Sequence, residues 1–514
     1  MLGAMLDLSR NGVMKPNEVC RFADVLKKIG YDTIALYLED TYEISGEPYF
    51  GHLRGRYSKD ELKQINAHAK SIGMRILPCI QTLAHLNGMF RWEQYADIND
   101  AADILLIDEP KTYTLIEKMF MTMRECFDGD TINIGMDEAW NVGLGNYLKK
   151  HGYSGDRVNL IYKHLLKVVD IAKKNNFKCM MWSDMFFHLN AKPEELKKLI
   201  PDGVILCHWD YYHIEKDFYD NKLSAKNNST SDIAFAGGGW TWGGFAAMNR
   251  RAIETMRPAM LSCRENGIKD VIITLWGDDG RECSPYAVLP SLLFCAEKYL
   301  NDSSDEEIKN KFKSLLGADF DDFMLLDMPS DYKYLAVNCV FYSDPFCGKY
   351  DYYIKPGDGK YCAGYSDKLR KAAVLAGEYA YIFECMAAFS DVIEIKYDLS
   401  VRTRESYITG NKNELKRIAE TDYPELISRL EVFADLFCKL WDKECKPFGL
   451  EIQQIRIGGL MSRLKWCQRV LVEYLQGKLD RIDELEEPVL PVKIEEILTP
   501  FDHNYLGTVS LNRM

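Results

Sequence analysis

Apolar and polar residues alternate in two rhythms through the first 300 positions of the chain. Short runs dense in Val, Ile, Leu, Met and aromatics (LGAMLDLS, DTIALYLED, RILPCIQ, INIGM, KCMMWSD, GVILCHWD, DIAFAG and DVIITLWGDD) predict strands buried on both faces. Between them the apolar spacing changes to that of amphipathic helices. In PNEVCRFADVLKKIG, Pro16 occupies the first turn, Val19, Phe22, Ala23, Leu26 and Ile29 share one face, and Gly30 closes the helix. SKDELKQINAHAKSIG carries a Ser58/Glu61 capping box and stops at Gly73. Further helices are predicted over 110–127, 157–175, 193–199, 214–223, 250–266 and 285–300. Eight strand-helix units in this length predict a (β/α)8 TIM barrel. A doubly wound open sheet, the alternative, would offer a glycine-rich phosphate turn after an early strand, and none is present.

The pattern changes after residue 300. NDSSDEEIKNKFKSLLG reads as helix, 334–365 as irregular and aromatic, and 368–388, 417–440 and 450–475 as long amphipathic helices. The predicted organisation is a barrel over 1–300 and a mainly helical C-terminal domain over 301–514, with a tail after Glu487.

Composition narrows the partners. Lys plus Arg is 64 against 77 Asp plus Glu, a formal charge of -13, which disfavours nucleic acid and anionic membrane. The 15 cysteines are scattered and never spaced as CxxC, the usage of a reduced, cytoplasmic protein. No apolar run reaches the roughly 18 residues that cross a bilayer, and the first residues read as a strand, without the basic start of a signal peptide.

In a barrel of this kind, chemistry gathers where strands end. Those positions hold Asp7 and Arg10 after strand one, Glu39 and Asp40 after two, and Gln81 and His85 after three. Strand four delivers Asp137, Glu138 and Trp140. Strand five gives Trp182 and Asp184; six gives Trp209, Asp210, Tyr211 and Tyr212; seven gives Trp240 and Trp242; eight gives Trp276, Asp278 and Asp279. A lone Asp-Glu pair is usually a surface feature. Here it sits among most of the nine tryptophans of the chain. Indole faces interleaved with carboxylates and an arginine suit a neutral sugar, whose C–H faces pack on rings while its hydroxyls take polar partners. A divalent metal on Asp137, Glu138, Asp184 and Asp210 is the rival reading. His52, His208, His213 and Glu282 are expected to be structural. Phe341–Tyr353 is expected to pack against the barrel.

NIGMDEAW resembles the H-x-G-G-D-E signature of glycoside hydrolase family 20, the β-N-acetylhexosaminidases. It is most similar to the subgroup of the streptococcal exo-β-N-acetylglucosaminidase and hexosaminidase D, where methionine precedes the Asp-Glu pair. MLDLSRN, AHLNG, WSD, WDYY and LWGDD fall at matching strand ends. Asn133 replaces the histidine of the signature, which predicts an altered setting for the pair and motivates an alternative, a barrel that binds N-acetylglucosamine without turning it over. WDYY offers two tyrosines where the family uses one.

The resemblance implies an exo-acting, retaining enzyme of terminal N-acetylglucosamine or N-acetylgalactosamine glycosides, with no cofactor or metal; the cysteine usage predicts a cytoplasmic location, and the helical region is a possible homodimer surface. It assigns Glu138 as general acid and base, and Asp137 as the residue orienting the 2-acetamido group of the substrate, whose carbonyl oxygen is the nucleophile. Tyr211 or Tyr212 would bind the acetamido oxygen, and His85 with Glu39 or Asp40 would tune Glu138. Trp182, Trp209, Asp210, Trp240, Trp242 and Trp276 would contact substrate, with Arg10 and Asp278 on ring hydroxyls.

Overall fold

The computed structural model describes residues 1–185, 200–224, 232–278, 280–330 and 337–492. Eight parallel strands close into a barrel in chain order. They are β1 (Leu2–Asp7), β2 (Thr33–Glu39), β3 (Arg75–Ile80), β4 (Thr131–Asn133), β5 (Lys178–Trp182), β6 (Ile205–Trp209), β7 (Ile233–Gly238) and β8 (Asp270–Leu275). The seam is the β1–β8 pair, registered from Leu2↔Val271 to Leu6↔Leu275. Inward-facing Met5, Ala35, Leu77, Cys79, Met180, Cys207, Ala234 and Ile272 fill the interior as one apolar cluster. Their outward neighbours, such as Leu6, Leu36, Ile76 and Ile273, join the larger core beneath the helices. Strands buried on both faces explain the near-continuous apolar runs of the sequence.

The helices around the barrel are α1 (Pro16–Lys28), α2 (Lys59–Ser71), α3 (Pro110–Cys126), α4 (Arg157–Lys174), α5 (Lys216–Ser224), α6 (Asn249–Glu265) and α7 (Leu289–Leu300). The Ser58/Glu61 capping box forms as its spacing predicts. The helix expected at 193–199, and Asp279, lie outside the described residues.

Downstream of α7 the chain is helical. Two expectations there need correction. The single helix predicted over 368–388 is two, Tyr365–Ala373 and α8 (Ala380–Lys396), because Gly377 takes φ 55° between them. The helix predicted over 417–440 begins with a π-turn, Ile418–Asp422, before α9 (Tyr423–Glu444). The last long helix, α10 (Leu450–Leu475), follows its predicted bounds. Barrel and helical region share one core. Phe245, in the loop after β7, meets the rings of Phe341, Phe389, Phe433 and Phe437 at centroid distances of 5.1–5.4 Å. Phe341 thus packs against the barrel as expected of the 341–353 segment, whereas Tyr352 and Tyr353 at its end are exposed.

Candidate active site

β4 stops after three residues, and the manner of its stopping builds the site. The Asn133 side-chain oxygen accepts the Gly135 N–H at 2.9 Å, turning the chain immediately after the strand. Gly135 and Met136 then take φ 71°, and Glu138 takes φ 50°. Left-handed backbone at non-glycine residues is strained and clusters where surrounding structure over-determines it. The determinant here is Gln81 of the β3 loop. Its amide oxygen accepts the Met136 N–H at 3.2 Å, and its NH2 donates to Asp137 Oδ1 and Tyr37 Oη, both at 2.8 Å. A side chain at Gly135 would overlap that amide.

The turn brings Asp137 and Glu138 to one histidine. His85 Nε2 lies 3.3 Å from Asp137 Oδ2 and 3.7 Å from Glu138 Oε2. Burial opposes the charge on His85, but the Asp137 carboxylate outweighs it and lifts the imidazolium to about 9. Burial likewise opposes ionisation of Asp137; the His85 charge and the hydrogen bonds from His85 and Gln81 overcome it, so this carboxyl stays below its ordinary range. Glu138 is pushed the other way, by the partial desolvation of a half-exposed side chain and by the charge of Asp137. Asp184 accepts the Glu138 backbone N–H at 3.0 Å. Burial, reinforced by Asp137, raises Asp184 to about 7. Adjacent carboxyls driven apart in this way are a pattern of acid–base sites.

Glu39, with φ 45° at the irregular end of β2, lies 3.9 Å from Arg10 and 3.6 Å from Arg54, and burial raises its carboxyl to about 7. Asp40, the alternative partner for His85, is instead held by Arg54 at 2.7 Å.

Arg10, Asp137, Glu138, Trp182, Trp209, Tyr211, Tyr212, Trp242, Trp276 and Asp278 line one open cavity, a concave site of aromatic walls with a few convergent polar groups. Arg10 is fixed over the faces of Trp276 (4.9 Å) and Tyr37 (5.3 Å) and bonded to Asp7 at 2.8 Å, with Asp278 at 3.2 Å. The Trp276 indole donates to Tyr211 Oη at 3.0 Å. Tyr211 stacks on Trp209 and leans on Trp242.

Two expected substrate contacts stand behind this wall. Asp210 is buried and engaged in its own turn, accepting from the Tyr212 and His213 N–H groups and from the Tyr219 hydroxyl, with His213 Nδ1 at 2.9 Å. An Asp closing a strand readily makes such a side-chain turn. That removes it from the carboxylate set the metal reading required. Trp240, with φ 56°, is turned out of line with Trp242 and stacks on it from outside, with centroids 4.9 Å apart. His208 bonds Ser183 and Glu282 bonds Tyr342, structural partners as expected. Sequence reasoning gave no role to Gln81 and missed Arg54. Gln81 stood at a strand end, the signal that could have raised it; Arg54 lies deep in a loop and gave none.

The model described as "Glycosyl hydrolase family 20, catalytic domain" matches residues 3–228, and "Glycoside Hydrolase 20C C-terminal domain" matches residues 318–500. Hexosaminidase D of Bos taurus is 22% identical over 339 residues, covering 59% of this chain and 94% of that protein. Hexosaminidase D of Homo sapiens is 21% identical, covering 57% and 64%. Among solved structures, a GH20 exo β-N-acetylglucosaminidase from Vibrio harveyi in complex with N-acetylglucosamine superposes with a TM-score of 0.50 at 16% identity. It covers 63% of this chain and 58% of that one, a likeness of fold.

Proposed function

The chain belongs to glycoside hydrolase family 20, and from that premise we propose that it is an exo-acting, retaining β-N-acetylhexosaminidase working by substrate-assisted catalysis. The observation that carries the reading is the opposite setting of two neighbouring carboxyls at one tryptophan-lined cavity. Asp137 is held ionised by His85 and Gln81, and Glu138 is biased toward its protonated form. An anion beside an acid is what this chemistry needs. Glu138 protonates the departing glycosidic oxygen as the carbonyl oxygen of the 2-acetamido group attacks the anomeric carbon, giving an oxazolinium ion and the free alcohol. Asp137 accepts the acetamido N–H and balances the positive charge that develops. Glu138, now ionised, takes a proton from water as it opens the ring, restoring the acetamide and the β-configuration.

In this reading Tyr211 or Tyr212 donates to the acetamido oxygen, and Trp182, Trp242 and Trp276 wall the sugar. Arg10 and Asp278 meet ring hydroxyls. Asn133, the motive for a barrel without turnover, points its amide oxygen into the turn at Gly135 and leaves the carboxylate pair intact. The 15 cysteines, none of them paired, suit a reducing cytoplasmic compartment.

The test uses two aryl glycosides. A β-N-acetylglucosaminide should be hydrolysed and the matching β-glucoside, which lacks the internal nucleophile, should not. Comparable turnover of both would refute the mechanism.

A further inference from the structure

Besides its contact with Phe245, the helical region meets the barrel at the two loops that carry Arg10 and Asp278. The turn from α9 to α10 lies along the loop after β1. Cys445 forms an antiparallel bridge with Met14, Lys446 N–H donates to Val13 O at 2.7 Å, and Lys15 N–H donates to Glu444 O at 2.8 Å. Gly449, with φ 88°, approaches Asn11 so closely that any side chain would strike the carbonyl of Asn11.

α10 then braces the loop after β8. The Gln453 amide donates to Gly280 O at 3.0 Å. Arg456 Nη1 lies 3.3 Å from Glu282 Oε1, and Glu282 also accepts from the Tyr342 hydroxyl at 3.0 Å and from Asn338. Gln453, Arg456 and Glu282 are all buried. From the barrel side the same loop hangs on Asp7, which accepts the Gly277 N–H at 2.9 Å and also holds Arg10. Asp278 therefore stands between an anchor in the barrel and an anchor in the helical region.

We propose that Gln453 and Arg456 are positioning residues of the sugar site, fixing from the helical region the spacing of Arg10 and Asp278 that reads the ring hydroxyls. This rests on the assignment of Arg10 and Asp278 to those hydroxyls made above. Two charged groups recognise hydroxyls at fixed spacing only if their loops are held. A displacement of about 1 Å at such a pair costs up to about a hundredfold. Among the described residues the loop after β8 has a short hydrogen-bonded turn of its own, Gly280 N–H and Arg281 N–H to Gly277 O. Further support comes from Asp7 on the barrel side, from Glu444 at the end of α9, which accepts the Ser284 hydroxyl at 2.5 Å and faces Arg281, and from α10 together with Asn338 and Tyr342.

The readout is the kcat/KM for an aryl β-N-acetylglucosaminide divided by that for its 4-deoxy analogue, a ratio insensitive to the fraction of enzyme that is folded. Gln453→Met, which keeps the length of the side chain, should raise KM, leave kcat within about threefold and lower the ratio about five- to tenfold, the worth of roughly one hydrogen bond. Arg456→Met should lower it similarly, with part recovered in Arg456→Lys. If Arg456→Met does not fold, Gln453→Met carries the test alone. Arg10→Lys is the reference. A ratio that falls in Arg10→Lys but stays at the wild-type value in Gln453→Met overturns the proposal. A wild-type enzyme indifferent to the 4-hydroxyl refutes instead the underlying assignment of Arg10 and Asp278.

Discussion

Replacing His85 by Gln removes the imidazolium that faces Asp137 and Glu138. Its pKa, lifted from 6.5 to about 9, measures how strongly the site prefers the charged ring, about 3 kcal/mol. Burial alone would have lowered it, so the attraction from the carboxylates exceeds that figure. By reciprocity the ionised carboxylates lose at least as much when the ring becomes neutral. Most of the loss falls on Asp137, which is nearer (3.3 against 3.7 Å) and less exposed (11% against 45%) than Glu138. The sign follows directly. Without the cation, buried Asp137 holds its proton to higher pH, and a protonated Asp137 cannot balance an oxazolinium ion. The acid limb of the kcat/KM profile should therefore move to higher pH. On that limb activity should fall on the order of a hundredfold, the equivalent of about 3 kcal/mol. The deficit should shrink as pH approaches 9, where the wild-type ring also loses its proton. The assay is the pH dependence of kcat/KM for an aryl β-N-acetylglucosaminide in wild type and His85→Gln. Parallel profiles, with one constant deficit at every pH, would show that His85 acts only by filling space and would refute the reasoning.

Two further outcomes follow from the same structure. Glu138→Gln should lower kcat/KM by about a hundredfold or more for substrates with poor leaving groups and much less for activated aryl glycosides, because only the former need a proton donor; equal losses would remove Glu138 from that role. His164, buried on α4, has Nε2 2.7 Å from Thr82 O and Nδ1 3.1 Å from the Tyr113 hydroxyl, and burial holds it neutral down to about 4. Between pH 6.5 and 4 the unfolded chain binds a proton here that the folded chain refuses, so this residue subtracts stability as pH falls. The unfolding free energy of wild type relative to His164→Phe should accordingly drop by about 2 kcal/mol from pH 7 to pH 5 in denaturant titrations. A pH-independent difference would contradict it.

The alternation of continuous apolar runs with 3.6-residue patterns was enough to predict the barrel, because each strand is buried on both faces and each helix on one, and these are local properties of the chain. It also placed Asp137, Glu138, Arg10, Trp182, Trp242 and Trp276 at strand ends, hence on one rim. Local pattern could not say which way a residue faces once the strand has ended. Trp240 itself takes a left-handed φ that turns it out of line with Trp242, and Asp210 folds back into its own turn; neither choice leaves a periodic trace. The helix predicted across 374–379 failed at Gly377 for a similar reason, since composition was helical but one φ was not.

What the sequence by itself determined, then, is the order of elements and the inventory of groups at their ends. Only the tertiary structure decided their charge. A carboxyl is raised or lowered by burial and by groups far away in the chain. His85 comes from the β3 loop to Asp137 after β4, and Gln81 joins it there. The brace on the sugar-binding loops comes from Gln453 and Arg456, more than 170 residues beyond Gly280 and Glu282. Electrostatics depends on distance through space, and distance through space is what a linear pattern does not contain.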